Sequence, residues 1–252
     1  MPQPLLGCIR GQEDKRDFQS NRFRLAPLSL PSLYTLPINI PIYDQGNLGS
    51  CTANSAAVCF RYEVKQKNKR STFNPSRLFL YYNSRAMRGW EKEDTGAIIR
   101  DVFKSLNNEG ICVESYCKYD ISKFAEKPTL RSYKNGLKHR TATYASVQQD
   151  VIMIKQTLMS GACISFGFDV YDNFYNADIS TTNYIMPLPN TNSQLVGRHA
   201  TTIIGWEDSI NCFLIQNSWG VNWGKKGLFY MPYSFIIDTN HCFDFWCIES
   251  IR

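Results

Sequence analysis

Apolar side chains recur at helical spacing between residues 51 and 110, and in short strand-like runs after residue 161. After Ser50, the residues Ala53, Ala57, Phe60 and Val64 fall on one face and predict a helix that closes on the basic run 65–70. Asn74-Pro75 reads as an N-cap with proline at the first helical position, opening a second helix through Leu78, Leu80, Tyr81 and Tyr82. A third, capped by Thr95, uses Ile98, Ile99, Val102, Phe103 and Leu106 and stops at Gly110. A fourth is expected from Val147 through Val151, Ile154 and Leu158 to Gly161. Runs 162–168, 200–206, 212–216 and 228–231, rich in Ile, Phe, Thr and Tyr, then read as strands. Helices first and strands second predict an α+β protein, a helical lobe set against a sheet-based lobe.

Before Ile42 the chain is rich in Pro and Leu without a clear period, which predicts an extended segment acting as a tether or cover. Residues 1–40 are therefore read as an N-terminal extension, a short prosegment. Residues 41–252 are read as the folded domain, with a helical lobe over about 45–140 and a β-rich lobe over about 141–252. Residues 1–24 contain only the short Pro4-Leu5-Leu6 apolar patch, no signal-peptide core. No apolar run approaches the roughly 18 residues needed to span a bilayer. The expectation is a protein without membrane association, located inside the cell, or in the virion if viral.

Composition changes this picture little. With 43% hydrophobic and 20% charged residues, the 252-residue chain is neither disordered nor fibrous in character. Nine cysteines in a chain without a secretion signal are expected to be reduced thiols. Cys112 with Cys117 and Cys242 with Cys247 have zinc-like C-x4-C spacing, but the pairs stand far apart in sequence and no metal is expected. The net charge of +6 comes partly from the runs 65–70 and 134–140, without a base-reading motif, so a solvated face is expected and no nucleic-acid partner.

The candidate chemistry begins at Cys51, between the glycine-containing turn Gln45-Gly46-Asn47-Leu48-Gly49-Ser50 and a helix. Free N–H groups and the helix dipole favour a thiolate there. Further on, His199 precedes one strand and Asn217 follows the next, with a turn at 207–211 between them. A hairpin symmetric about Asp208 would put His199 and Asn217 directly opposite, close enough for the amide oxygen to hold the imidazole. Thiol, histidine and amide together are the parts of an activated sulfur nucleophile. His139 and His241 lack such companions and are read as structural or surface residues.

Gln45, the triplet Gly49-Ser50-Cys51, His199-Ala200, and Asn217-Ser-Trp-Gly-Val-Asn-Trp-Gly224 followed by Gly227 resemble papain and the cathepsins. The resemblance implies a two-lobed papain-like fold, with the active site between a helical N-terminal lobe and an antiparallel β-rich C-terminal lobe. It implies a cysteine peptidase acting on a polypeptide substrate without metal or organic cofactor. Cys51 would be the nucleophile, His199 its general acid and base, Asn217 the orienting amide and Gln45 an oxyanion donor. Trp219 would shield the His199–Asn217 pair at the substrate cleft. Gly96 would let a substrate backbone lie close, and Ile98 would line the pocket for the second residue before the cleaved bond. Leu48 stands where secreted members carry a disulfide cysteine, and Thr52 where an aromatic residue usually follows the nucleophile; both suit the bacterial and large-DNA-virus branch. A transpeptidase using the same acyl-enzyme, and an inactive binding protein with the same fold, are the alternatives.

Overall fold

A computed structural model describes residues 5–12, 14–25 and 29–251. In chain order its strands are β1 (Cys8–Ile9), β2 (Leu33–Thr35), β3 (Ala97–Ile98), β4 (Thr141–Ser146), β5 (Ile164–Tyr171), β6 (Leu195–Glu207), β7 (Cys212–Gln216), β8 (Leu228–Pro232) and β9 (Cys242–Ile251). The helices are α1 (Cys51–Lys67), α2 (Arg77–Ala86), α3 (Ile99–Asn108), α4 (Leu130–Gly136), α5 (Val151–Met159), α6 (Asp172–Tyr175) and α7 (Tyr233–Ile236). The sheet runs β4-β9-β5-β6-β7-β8, every pairing antiparallel, with β2 added to the far end of β6. This is the α+β architecture of a helical half and a sheet half.

The central helix α1 is buried on nearly every side, from Cys51 to Phe60 and again at Tyr62 and Glu63. Small residues Ala53, Ala56 and Ala57 let it lie close to the sheet. Ser55 fixes its position, because its hydroxyl meets Ser165 Oγ at 2.7 Å, Thr201 O at 2.7 Å and Thr202 Oγ1 at 2.9 Å. Buried polar groups need such partners, so this knot joins helix and sheet in one relative placement. Among the described residues no helix is long and apolar enough to cross a membrane, and all nine cysteines are free thiols.

Several element boundaries differ from expectation for local reasons. Helix α2 is capped by Ser76, whose hydroxyl accepts from Phe79 N, while Asn74 Oδ1 accepts from Arg61 instead. Thr95 does not cap α3; its hydroxyl donates to Gly96 O, and residues 97–98 form a strand before the helix starts. Val147 is still tied to the sheet through Phe245 O, so the fourth expected helix starts only after the Asp150 cap. The strands at 141–146 and 242–251, absent from the pattern reading, pair with each other.

Candidate active site

The turn preceding α1 is held from four sides. Arg77 donates to Asp44 O at 3.0 Å, Gln45 N donates to Ser218 O at 2.8 Å, Tyr119 Oη donates to Gln45 O at 2.9 Å, and both Asp94 oxygens accept from Gly49 N at 3.1 Å. Arg77 is in turn stacked on Tyr119, 3.8 Å from its ring centre. With its backbone groups thus paired, the turn delivers Cys51 to the first position of α1, where Ser50 supplies no side-chain cap.

His199 lies on β6, completely buried, and Asn217 lies just past β7. The imidazole Nε2 and Asn217 Oδ1 are 2.8 Å apart, as expected from the chemistry. The expected register is corrected. The β6–β7 ladder opens with Glu207 opposite Cys212, so the hairpin is centred past Asp208; beyond a bulge at Ile204 its last pair is Thr202 with Gln216, and Asn217 then turns away with its N–H on Gly227 O. Across the sheet His199 faces Phe168 of β5, not Asn217. Trp219 roofs the pair, its ring centre 4.7 Å from that of His199. His199 Nδ1 is buried without a hydrogen-bond partner. Because Asn217 can only accept at Oδ1, it selects the tautomer with hydrogen on Nε2 and leaves Nδ1 to exchange a proton with another group.

Ala200, the neighbour of His199 on β6, turns its backbone N–H toward the Cys51 sulfur, along with those of Gly7, Thr52 and Cys51 itself. Burial still dominates, pushing the Cys51 thiol up to about 11 against the pull of those N–H groups. Burial likewise pushes the His199 imidazole down to about 4, with the Asn217 hydrogen bond opposing it. In this state both groups are neutral near pH 7.

Over Cys51 lies the N-terminal segment, the Gly7 N–H being among the groups that face its sulfur. Strand β1 pairs parallel to β3, Cys8 with Ala97 and Ile9 with Ile98, and Gly7 O accepts from Ala97 N at 2.9 Å. Gly7 is squeezed between two glycines: a Cβ on it would lie 1.9 Å from Gly49 O, and a Cβ on Gly96 (φ +79°) would lie 2.2 Å from Gly7 O. Leu5 O accepts from Gln45 Nε2 at 2.8 Å. Gln45 itself is buried, with Nε2 also donating to Leu48 O and Oε1 accepting from Ser218 Oγ at 2.7 Å. Ile98 has Cγ2 against Gly11. Beside Trp219 a cavity of about 770 Å³ is lined by Asn47, Tyr175, Ile179, Trp219 and Trp223.

Cys51, His199, Asn217, Gln45, Trp219, Gly96 and Ile98 thus belong to one region. Sequence reading passed over Ser218, which fixes the Gln45 amide, and residues 5–8 as the specific part of the N-terminal segment that enters the cleft. A lone glycine at position 7 inside an apolar patch is the kind of signal that marks close backbone approach.

Residues 38–242 match the papain family cysteine protease model. The chain is 36% identical, over 97% of its length and 86% of the relative's, to an uncharacterized peptidase C1-like protein of Acanthamoeba polyphaga mimivirus. The crystal structure of xylellain, a cysteine protease from Xylella fastidiosa, superposes with a TM-score of 0.89 at 35% identity, covering 98% of this chain and 96% of that one. A procathepsin B of Trypanosoma congolense shares the fold at 14% identity and a TM-score of 0.74. By these matches the chain belongs to the papain family and is a cysteine peptidase.

Proposed function

We propose that the protein hydrolyses peptide bonds through an acyl-enzyme on Cys51 and that residues 5–11 hold it latent. Cys51 Sγ attacks the substrate carbonyl carbon while His199 Nδ1 takes the thiol proton. The oxyanion is held by Gln45 Nε2 and the Cys51 N–H, His199 returns the proton to the leaving amine, and the thioester carbon is exposed to water. Water then adds with His199 as base, releasing a carboxylic acid and regenerating the thiol. Asn217 and Trp219 keep the imidazole in place, Gly96 admits a substrate backbone, Ile98 lines the acyl side and the cavity beside Trp219 offers room for the leaving part.

The observation that carries this reading is the Leu5 carbonyl seated 2.8 Å from Gln45 Nε2. A peptide carbonyl of the chain itself occupies the place where a substrate oxyanion would develop. From Leu5 the segment continues past Gly96 toward its C-terminus, whereas a substrate with its acyl carbonyl at Gln45 would run past Gly96 toward its N-terminus. Laid in reverse, the segment blocks the cleft without presenting a bond for cleavage.

The test is product analysis on full-length Gly7→Val, in which the segment is unseated, and on Gly7→Val/Cys51→Ala, with a peptide substrate and with or without an added amine acceptor. Free carboxylic acid products lost in Cys51→Ala support the reading. Cleavage that survives Cys51→Ala sinks it, and products joined to the amine in preference to water make the protein a transpeptidase.

A further inference from the structure

Residues 8 and 10 of the segment send their side chains into two adjoining places, and the second is a cradle for a guanidinium. Cys8 Sγ sits 3.0 Å from where a Gly167 Cβ would be, and the Phe243 ring closes the same spot at 2.4 Å. Arg10 stacks over the other reach of that ring, its guanidinium carbon 5.1 Å from the centre. It also donates to Thr239 O at 2.7 Å and Asn240 O at 3.4 Å. Asp244, next to Phe243, accepts from Gly11 N at 2.7 Å, so a carboxylate lies beside the cradle. An aromatic face, two carbonyl oxygens and a nearby carboxylate form a set of groups that prefers a planar cation.

We infer that this cradle is a substrate subsite for an arginine side chain, and that Arg10 occupies it while the cleft is covered. The inference rests on the peptidase reading above for its register. In an extended peptide alternate side chains share a face. A substrate that puts its second residue before the cut where Cys8 sits therefore puts its fourth residue before the cut where Arg10 sits. Reversal of chain direction does not matter to the cradle, because ring face and carbonyls meet the side chain and not the backbone.

The test uses full-length Gly7→Val, since a Cβ at position 7 collides with Gly49 O and unseats the segment. Binding is measured by fluorescence anisotropy on Gly7→Val/Cys51→Ala with labelled hexapeptides that have alanine second before the scissile bond and arginine, citrulline or leucine fourth before it. The arginine peptide should bind about two- to fivefold tighter than the citrulline peptide, the size of an exposed cation–π contact, and moving arginine to the third position should remove the advantage. An arginine-to-citrulline ratio below two, or an equal advantage at the third position, overturns the inference. Cleavage by Gly7→Val with Cys51 intact is read separately: its absence alongside arginine-selective binding would remove the peptidase reading and leave the cradle standing.

Discussion

Gln45 is the residue whose partners say most about its role. Its oxygen is engaged by Ser218, so the amide nitrogen is turned toward the cleft and toward Leu5 O. Losing one such donor costs on the order of 100- to 1000-fold in turnover in acyl-transfer enzymes. Gln45→Ala should show a kcat loss of that size with an unchanged circular dichroism spectrum; unaltered kcat would assign the oxyanion to other donors. Asn217 touches only the far nitrogen of His199, and Trp219 and Phe168 pack against the same ring. Asn217→Ala should therefore retain more activity than Cys51→Ala, and equal losses would mean packing alone does not hold the imidazole. Both side chains could be picked from the sequence because their chemistry is distinctive. The role of Ser218 could not, since only the fold brings Gln45 against it.

At the scale of elements, the N-terminal segment divides into parts with different work. Residues 5–11 fill the cleft, and Asp14 and Asp17 pair with Arg100 of α3 at 2.9 and 2.6 Å. Residues 31–36 belong to the sheet: Tyr34 stacks on Trp206 at 4.9 Å, Pro31 O accepts from Trp206 Nε1, and Leu36 is buried. Deleting residues 1–12 should raise peptidase activity with a melting temperature close to that of the full chain. Deleting 1–36 strips β2 and uncovers Trp206, and should give a poorly soluble protein. A shorter deletion without gain in activity would show that residues 5–11 do not restrain the enzyme. Acid should have the same effect as the shorter deletion. His199 is held near 4 while covered and returns toward its ordinary 6.5 once water reaches it, so the open form binds the extra proton as pH falls from about 6.5 to 4. Each pH unit in that window favours opening by about 1.4 kcal/mol. Protection of Ala97 N from hydrogen exchange, now bonded to Gly7 O, should fall across this window in the intact chain; constant protection from pH 7 to 4 would rule the coupling out.

For the whole molecule, the covered and open states should differ most at Cys51. Covered, its thiol is pushed up to about 11 by burial and should resist alkylation at mildly acidic pH. In Gly7→Val, with water and an imidazolium beside a helix N-terminus, Cys51 should be the one cysteine of nine alkylated by a short iodoacetamide pulse at pH 5 to 6. His199→Ala in that background should abolish this acid-side labelling, whereas even labelling of several cysteines would mean that the thiol and imidazole do not act as a pair. The sequence by itself determined the helix-then-strand order, the turn and helix that carry Cys51, and the identities of the histidine and amide, because periodicity, glycine turns and side-chain chemistry are local properties. Only the tertiary structure decided which residues meet. The β6–β7 turn, closed by Glu207 opposite Cys212, centres the hairpin past Asp208 and so replaces the symmetric pairing by an offset one, and Ala200 beside His199 turns its N–H to the Cys51 sulfur. Gly7 was placed between Gly49 and Gly96, contacts 42 and 89 residues away that no local pattern encodes. The ionisation of Cys51 followed from tertiary burial, which outweighs the helix N-terminus that the sequence displays.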